Sequence, residues 1–294
     1  MKLGVVGSIN IDMLYSLEKF LQKGETLFGD NFQVLMGGKG ANQAVMMSAL
    51  NDNVVFLGAV GNDDFAQKAL RHLESKNVDV GFISTKEKNT GLAIIQIVHG
   101  DNSIAVIPGA NTQIKKEEID HFLNENKDLG LVVSQLEINM DAVNYLIDQC
   151  HAKRIPIILN PAPAQPISDE IIEKVDFLIP NETETEYLFH TDDFESLVKQ
   201  YAGKLLITMG SRGVMYFDGN VPVIAPALKI EVVDTTGAGD SFVAGFASGI
   251  GNNLGMKAAV ELGIKVASMT CMCMGAQGAY ERVRSELYEK TRNH

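Results

Sequence analysis

The sequence of 294 residues contains no tryptophan and only three cysteines, Cys150, Cys271 and Cys273. An odd number of cysteines in a chain without an export signal argues against a disulfide framework. Cys271 and Cys273 suggest a metal pair, but no second cysteine pair accompanies them, and the six histidines lack the spacing of metal ligands. We therefore predict buried or incidental thiols and no zinc site.

Long hydrophobic runs are also absent. No stretch approaches the ~20 apolar residues of a membrane span, and Asn10 and Asp12 interrupt the apolar start of the chain too soon for a signal peptide. Both absences favour a cytoplasmic protein. The formal net charge of −12 argues against nucleic acid or an anionic membrane surface as a partner, and 46% hydrophobic residues predict a globular fold.

Apolar segments of strand length alternate with segments of helical periodicity along the chain. The predicted strands cover residues 3–6, 54–58, 131–134, 155–159, 177–179 and 205–208, and the predicted helices cover residues 39–50, 64–75, 141–153 and 168–174, the last with Ser168 as its N-cap. Continuously apolar strands between helices predict a parallel sheet that is covered on both faces. In such sheets, ligands lie beyond the carboxyl ends of the strands.

Two regions, at about residues 11–36 and 91–108, break this rhythm. Within them, alternating patterns and a turn signal at His99-Gly100-Asp101-Asn102 predict strands at residues 11–18, 31–36, 92–98 and 103–107. Four such strands would form a small accessory sheet with one apolar face to cover. The alternative is an ordinary extension of the main sheet. The tail of residues 282–294 is predicted to be a charged terminal helix that frays.

A run of small residues stands at a predicted strand-to-helix turn. Gly237, Ala238 and Gly239 leave the backbone N–H groups uncovered, and Asp240 follows in the first turn of the helix. Helix N-termini carry unpaired donors and a partial positive charge, so this turn is suited to bind an anion. Taken alone, the turn leaves two interpretations of Asp240 open, a helix cap and a catalytic carboxylate.

Further motifs rich in polar residues and glycine run along nearly the whole chain. In chain order they are Gly7-Ser8-Ile9-Asn10-Ile11-Asp12, Gly37-Gly38-Lys39-Gly40-Ala41-Asn42-Gln43-Ala44, Gln135-Leu136-Glu137, Asn160-Pro161-Ala162-Pro163-Ala164, Pro180-Asn181-Glu182-Thr183-Glu184, Thr208-Met209-Gly210-Ser211-Arg212-Gly213, the turn of residues 234–240, and Gly275-Ala276-Gln277. In identity and order this set resembles the ribokinase family of sugar kinases. Any single motif is weak, but the set is specific.

The resemblance implies a ribokinase-like three-layer α/β/α sandwich, with a mostly parallel central sheet and a small β-sheet lid. It implies one kinase domain over residues 1–294, into which the accessory sheet is inserted from about residues 11–36 and 91–108 as a lid over the sugar. It also implies a homodimer in which two lids clasp each other.

The reaction implied by the resemblance is ATP-dependent phosphorylation of D-ribose at O5 to give D-ribose 5-phosphate. The general base would be Asp240, and the amides of Gly237, Ala238, Gly239 and Asp240 would form the anion hole. The implied sugar ligands are Asn10, Asp12, Gly38, Lys39, Asn42, Glu137 and Asp240. Asparagine offers both a donor and an acceptor and carboxylates offer acceptors, as hydroxyl recognition requires.

ATP and two cations complete the implied site. The nucleotide would lie against Asn181, Thr208, Gly210, Ser211, Gly213 and Gly239. Mg²⁺, the cofactor that accompanies ATP, would be held through water by Asn181 and Glu184, which is compatible with a helix start after Pro180. K⁺, an activating monovalent cation, would be bound by Asp234 and Thr236 with backbone oxygens of Thr270, Cys273 and Gly275.

Two residues depart from the family pattern. The sequence also does not match two other nucleotide-binding motifs. Ala279 stands where a serine hydroxyl is usual near the cation, and Ile264 stands where Asn or His is usual near the adenine. Lys39 is followed by Gly40 rather than Ser or Thr, so the Gly-Gly-Lys-Gly run is not a P-loop. No G-x-G-x-x-G closes the first strand, which disfavours a dinucleotide site.

Several functional alternatives remain open from the sequence. A kinase for deoxyribose, another furanose or a nucleoside is the nearest, although residues 37–43 and 160–164 favour ribose. A non-catalytic sugar-binding regulator belongs to a different class, but it would need neither Asp240 nor the anion turn. An NAD-dependent dehydrogenase is the most distant alternative, because its glycine fingerprint is missing.

Overall fold

Strands and helices alternate along the chain, and the computed structural model describes residues 1–51, 53–99 and 101–289. In chain order, the strands are β1 Lys2–Val6, β2 Asn10–Ser16, β3 Asp30–Gly37, β4 Val54–Val60, β5 Val78–Thr85, β6 Gly91–Val98, β7 Asp101–Ile107, β8 Leu129–Gln135, β9 Ile157–Asn160, β10 Phe177–Leu178, β11 Leu206–Thr208, β12 Val214–Phe217 and β13 Pro222–Ala225.

The helices follow the predicted pattern closely where the sequence predicts them. In chain order they are α1 Lys39–Leu50, α2 Asp64–Ser75, α3 Lys116–Glu125, α4 Met140–Lys153, α5 Asp169–Lys174, α6 Glu182–Phe189, α7 Phe194–Gln200, α8 Ala238–Gly251, α9 Met256–Cys271 and α10 Tyr280–Val283. Ser168 caps α5 by accepting from the backbone N–H of Ile171, as predicted.

A six-stranded parallel sheet forms the centre of the molecule, in the order β10-β9-β8-β1-β4-β5. Side chains of its strands alternate between two apolar layers. Leu3 and Val5 of β1 pack in one layer with Phe246 of α8, whereas Val6 packs in the other with Phe122 of α3. Because helices cover both faces, the predicted three-layer α/β/α sandwich is confirmed.

The strand predicted at residues 205–208 is present as β11, but the strand hydrogen-bonded to it runs antiparallel. β11 pairs antiparallel with β12, and β12 with β13, in a separate three-stranded sheet. Two isolated parallel bridges, Leu178 to Leu205 and Asn181 to Thr208, join it to the edge of the central sheet. The hairpin of β12 and β13 therefore adds antiparallel strands at this edge of the fold.

The four accessory strands form one sheet of their own, in the order β3-β2-β6-β7. β2 pairs antiparallel with β3 and parallel with β6, while β6 pairs antiparallel with β7. They do not extend the central sheet, so the small β-sheet expected beside the sandwich is present. Part of the turn predicted at residues 99–102, Gly100, lies outside the described residues.

At the C-terminal end, α10 continues into a π-helical turn, Arg284–Glu289. The predicted terminal helix is therefore present in its first part, and residues 290–294 lie outside the described residues. Among the helices that the structure describes, none combines the length and the apolar character needed to cross a membrane.

Candidate active site

The carboxyl ends of β1, β8 and β9 lie side by side, and the start of α1 and the first turn of α8 meet them there. β8 lies between β1 and β9, so Ser134 is level with Val6 and Gln135 with Asn160. The chain leaves β1 through Ser8 and leaves β8 towards Glu137. This topology brings together residues that are more than a hundred positions apart in the sequence.

Asp240 is buried at this meeting point, with 6% of its surface exposed. Asn42 Nδ2 donates to its Oδ2 over 2.9 Å, and Gln43 Nε2 donates to its Oδ1 over 3.0 Å. Gln43 Nε2 also reaches Asn160 Oδ1 at 3.2 Å, and Gln43 Oε1 accepts from Gln135 Nε2 over 2.6 Å. The carboxylate is thus held by consecutive residues of α1, one on each oxygen.

One carboxylate oxygen of Glu137 accepts hydrogen bonds from a second group of donors. Oε2 accepts from Ser8 Oγ over 2.5 Å, from the Lys39 backbone N–H over 3.0 Å and, more weakly, from Asn10 Nδ2 over 3.4 Å. The Asn10 amide is oriented in turn by Asn111, whose Nδ2 donates to Asn10 Oδ1 over 2.8 Å. Asn10, Lys39 and Glu137 therefore lie together, as the sequence analysis expects.

Asp12 lies across the same space from Glu137 and Asp240. Burial raises the pKa of Asp12 to about 6, and the negative charges of Glu137 and Asp240 add to the rise. A Cβ atom at Gly37 would lie only 2.2 Å from Asp12 Oδ2, so the carboxylate rests against that glycine's backbone. The shift makes Asp12 a carboxyl group that titrates near neutral pH.

Lys39 is the positive charge among these carboxylates. The charge of Asp240 raises the pKa of Lys39 most, burial opposes the rise, and Glu137 and Glu184 add to it. Lys39 therefore stays protonated, and its ammonium group offsets part of the repulsion between the carboxylates. A hydroxylated ligand entering this space would meet both strong donors and strong acceptors.

The anion turn begins α8. Gly237, the N-cap, has φ of +75°, and a Cβ atom there would lie 2.3 Å from the Cβ of Ala276. A Cβ atom at Gly239 would meet no atom within 4 Å. Gly237 therefore provides a left-handed conformation in a tight contact, and Gly239 leaves open space in front of the first N–H groups of a 14-residue helix.

Apart from Gly239, which lies in the first turn of α8, the predicted nucleotide residues lie at the junction of β10, α6 and β11. Asn181 and Glu184 form a capping box, because Asn181 Oδ1 accepts from the Glu184 N–H and Glu184 Oε2 accepts from the Asn181 N–H, both over 2.8 Å. Burial raises the pKa of Glu184. This effect outweighs the hydrogen bond from the Asn181 N–H and the positive charge of Lys39, both of which lower the pKa. The helix start after Pro180 is thereby confirmed.

Gly210 and Ser211 belong to a short 3₁₀ turn after β11, and Gly213 is the C-cap residue of that turn. Gly210 has φ of +53°, and a Cβ atom there would meet nothing within 4 Å. Ser211 is exposed, and Thr208 lies level with Asn181 through an isolated bridge. The turn presents backbone and a hydroxyl to solvent beside Asn181.

A third set of predicted residues surrounds Asp234. Its Oδ1 accepts from the Thr236 N–H over 2.9 Å and from Thr236 Oγ1 over 2.7 Å, and its Oδ2 accepts from the Gly275 N–H over 2.9 Å. Burial raises the pKa of Asp234, but these hydrogen bonds outweigh it and hold the pKa below its usual range. The Thr270 carbonyl accepts from the Cys273 N–H nearby.

The donor chemistry of these two sets fits cations that prefer oxygen. Within the described ranges, no group of three or more His, Cys, Asp or Glu residues is arranged to hold a metal ion. Mg²⁺ often takes one or two carboxylates and keeps its waters, so the buried Glu184 carboxylate with Asn181 suffices for it. The ionised Asp234, the Thr236 hydroxyl and nearby carbonyls suit a monovalent cation.

A cavity of about 650 Å³ lies between the β12–β13 hairpin and α9. Ile264 is among its lining residues, together with Tyr216, Ile224, Leu228, Met256 and Glu261. Most of these side chains are apolar. Ile264, which the sequence analysis associates with the adenine, therefore faces a space large enough for a planar ring system.

Five residues of the site were not assigned a role from the sequence. Four of them stand inside the motifs that carry the family resemblance, a signal that could have been used: Ser8, Gln43, Gln135 and Asn160. Asn111 lies in the 3₁₀ turn Gly109–Gln113 and is 1% exposed. Nothing in its sequence neighbourhood points to Asn10, because the contact depends on how the accessory sheet folds back.

Known carbohydrate kinases resemble this chain over nearly its whole length. The family model of the pfkB family carbohydrate kinases matches residues 2–282. The chain is 36% identical over 283 residues to the ribokinase of Lactococcus lactis, covering 96% of this chain and 94% of that protein. It is 37% identical over 286 residues to the ribokinase of Bacillus subtilis, covering 97% of each chain.

A relative that is named for a different sugar is also similar to this chain. The deoxyribokinase of Salmonella typhi is 33% identical over 295 residues, covering 96% of each chain. Among solved structures, the ribokinase of Thermotoga maritima matches with a TM-score of 0.87 and 30% identity, covering 97% of this chain and 98% of that one. The ribokinase of Arabidopsis thaliana in complex with ribose and ATP matches with a TM-score of 0.85 and 28% identity, with the same coverage. The chain therefore belongs to the pfkB family of carbohydrate kinases.

Proposed function

We propose that this sugar kinase transfers the γ-phosphoryl group of ATP to the 5-hydroxyl of D-ribose, giving D-ribose 5-phosphate and ADP. One observation carries the proposal: the Asp240 carboxylate is buried between the anion turn of α8 and a ring of hydroxyl-binding side chains. That is where a base must lie to take a proton from a hydroxyl that attacks a phosphoryl group. The similarity to ribokinases supports ribose as the acceptor.

In this proposal the sugar is bound by Asn10, Asp12, Gly38, Lys39, Asn42 and Glu137. The side chains among them offer carboxylate acceptors, amide donors and one ammonium group in the same part of the molecule, with one hydrogen-bonded group around Glu137 and another around Asp240. None of these residues is aromatic, so none offers a surface on which a nucleobase could stack. The set favours a small, fully hydroxylated sugar over a nucleoside.

Asp240 would accept the proton of the 5-hydroxyl as its oxygen bonds to the γ-phosphorus and the bond to ADP breaks. The N–H groups from Gly237 to Asp240, at the start of α8, would stabilise the charge on the transferred group. Gly239 supports this role because it leaves open space in front of these N–H groups. Lys39 would add a positive charge beside the reacting oxygen.

ATP would lie against Thr208, Gly210, Ser211 and Gly213, with its phosphates pointing towards Asn181 and Gly239. The cavity that Ile264 lines supports a position for the adenine, held mainly by apolar contact. A divalent metal, Mg²⁺, would be held through water by Asn181 and Glu184. When bound, it supplies charge neutralisation to the phosphates.

K⁺ would bind beside the anion turn at Asp234 and Thr236, with carbonyl oxygens of Thr270, Cys273 and Gly275. The hydrogen bonds that join Asp234 to Thr236 and to Gly275 support one compact group. Ala279 offers no hydroxyl to this group, so the proposed ligands are carbonyls, one carboxylate and the Thr236 hydroxyl. The cation would order the turn that precedes Gly237.

The accessory sheet would act as the lid over the sugar within one kinase domain of residues 1–294. Its face that carries Asp12 also carries Leu14, Leu35 and Ile95, because cross-strand partners share a face. Ile104 and Val106 on the same face are each 52% exposed. An apolar face of this kind supports a homodimer through two lids, and light scattering that finds a monomer at micromolar concentration would contradict it.

The substrate is tested by a coupled assay of ADP release over pentoses, hexoses and nucleosides. Loss of one hydroxyl leaves buried polar groups unpaired at a cost of about 1–3 kcal/mol. We therefore expect kcat/KM for 2-deoxyribose to be about ten- to a hundredfold below that for ribose. Deoxyribose equal to or better than ribose would favour the second candidate, a deoxyribokinase, which the Salmonella typhi relative supports. No ADP release with any of these sugars or nucleosides would contradict the kinase proposal.

A further inference from the structure

A continuous line of side-chain hydrogen bonds runs from a histidine on α2 to the carboxylate of Asp240. His72 Nε2 lies 2.6 Å from Gln277 Oε1, and Gln277 Nε2 donates to Asn42 Oδ1 over 2.9 Å. Asn42 Nδ2 then donates to Asp240 Oδ2 over 2.9 Å. The line joins α2, the turn between α9 and α10, α1 and α8, four segments that are far apart in the sequence.

The Asp240 carboxylate and the Met36 carbonyl, which also accepts from Gln277 Nε2 over 3.4 Å, together set the direction of every bond in this line. An ionised carboxylate only accepts hydrogen bonds, so Asn42 must turn its NH₂ group towards Asp240. Its carbonyl oxygen then faces Gln277, which must present its own NH₂ group. The carbonyl oxygen of Gln277 in turn faces His72, so His72 Nε2 must carry a hydrogen. The neutral tautomer with Nε2–H and the protonated ring both satisfy this requirement.

A shorter line of the same kind ends on the other carboxylate oxygen. Gln135 Nε2 donates to Gln43 Oε1, and Gln43 Nε2 donates to Asp240 Oδ1. Gln43 and Gln135 are fully buried, whereas His72 and Gln277 are half-buried. One amide N–H on each oxygen opposes rotation of the carboxylate plane, and each oxygen keeps lone pairs for a substrate.

We propose that Gln277 and His72 are positioning residues, which fix the orientation of the Asn42 amide and through it the carboxylate of Asp240. The inference rests on the proposed role of Asp240 as general base. It lets Asn42 donate to the sugar through the second N–H of its amide group, since the first N–H is directed to Asp240 and the oxygen already accepts from Gln277. Misplacement of a catalytic group by about 1 Å can cost about a hundredfold in rate.

The test compares substitutions at His72 that differ in hydrogen-bonding polarity. His72→Gln keeps an N–H that can reach Gln277, so we expect kcat within about twofold of the parent enzyme. His72→Glu offers only acceptors when ionised, so Gln277 must either lose its contact with this side chain or turn its NH₂ group away from Asn42 Oδ1, and either change loosens the Asn42 amide. We expect kcat to fall about tenfold or more, with KM for ATP unchanged. His72→Leu should lie between the two.

Gln277 provides a second, independent variant. Gln277→Glu can accept from His72 but cannot donate to Asn42, so kcat should fall as in His72→Glu. The double variant of His72→Glu with Gln277→Leu should be no worse than Gln277→Leu alone, because both act through one line. His151→Glu is the matched control: it places the same charge in the last turn of another helix, α4, and we expect no change in kcat.

Melting temperatures and ribose binding by calorimetry separate a kinetic effect from a failure to fold. If His72→Gln and His72→Glu lose activity equally, side-chain packing rather than donor direction is responsible, and the inference is wrong. Normal kcat in both His72→Glu and Gln277→Glu would also overturn it, provided that Asp240→Asn is inactive. An active Asp240→Asn enzyme would instead contradict the proposed function itself.

Discussion

The half of the site around Asp240 and Glu137 is held by buried side chains, whereas the half around Asp234 and Gly237 consists mainly of backbone and exposed residues. Asn10, Asn42 and Asp240 are each at most 6% exposed, and every one is oriented by another side chain. Gly239 and Thr236 are exposed. Hydroxyl recognition needs donors and acceptors at fixed angles, but a phosphate accepts N–H groups from many directions.

This difference has a consequence for substitutions. A change in the buried half leaves a polar partner unsatisfied, so its effects should spread through the network. A change in the exposed half should act through backbone conformation and local charge.

Asp240→Asn should cause the largest loss, because it removes the proposed base from the centre of the buried half. We expect kcat to fall by about 10²–10⁴, the usual contribution of a general base. Asparagine can still cap α8 and accept from Asn42 or Gln43, so folding and ribose binding should persist. Steady-state kinetics with calorimetric ribose titration measures both. Near-normal turnover would rule out the assignment of the base.

The glycines of the anion turn provide a matched pair in the exposed half. Gly237→Ala places a methyl group against Ala276 at a residue with positive φ, which costs about 1–2 kcal/mol in backbone strain alone. We expect a lower melting temperature and a kcat reduced about tenfold or more as the N–H groups move. Thermal unfolding and kinetics together measure the effect.

Gly239→Ala should behave differently, because its new methyl group meets no protein atom. Alanine favours a helix over glycine by about 1 kcal/mol, so the melting temperature should stay the same or rise. Activity should still fall, since the methyl group enters the space proposed for the phosphate. Equal activity in Gly239→Ala and the parent enzyme would place the phosphate elsewhere.

How far the sequence predicts this molecule also differs between its parts. The boundaries of α1 and α2 follow from helical periodicity, and the rule that ligands gather at strand ends brings Asn10 and Glu137 to one place. Asp240 was predicted at a strand-to-helix turn, but the described residues include no strand between β13, which ends at Ala225, and α8, which begins at Ala238. By contrast, the pairing of β11 with β12 was missed, because a short apolar strand does not reveal whether its neighbour runs parallel or antiparallel.

The side-chain partners within the site are the least predictable part. Gln43 holds Asp240 and Asn111 holds Asn10, but their partners are 197 and 101 residues away in the chain. Sequence spacing gives the face of a helix or strand on which a residue lies, and it gives no direction for a side chain that points into a space shared by several elements. Those contacts required the fold.

The pH dependence of KM for ribose tests the role of Asp12 in the buried half of the site. Its pKa is raised to about 6 by burial and by the charges of Glu137 and Asp240. Below pH 6 the carboxyl group is increasingly protonated and loses an acceptor for the sugar. We expect KM for ribose to rise by up to about tenfold per pH unit below 6, the limit for one proton. Asp12→Asn should raise KM at neutral pH and remove this pH dependence, and a parent-like profile in that variant would assign the titration to another group.

The smallest effect is expected at the cation turn, where exposed groups and backbone carry the interaction. Hydrogen bonds hold the pKa of Asp234 low, so its charge is present at neutral pH and available to a cation. We expect K⁺ to raise kcat over Na⁺ by about fivefold, the lower end of the usual coupling between two ligand sites. K⁺ should also raise the melting temperature of the parent enzyme, and Asp234→Asn should weaken both responses because it removes the charge. Equal rates and equal melting temperatures in K⁺, Na⁺ and tetramethylammonium would show that the exposed half works through its backbone alone.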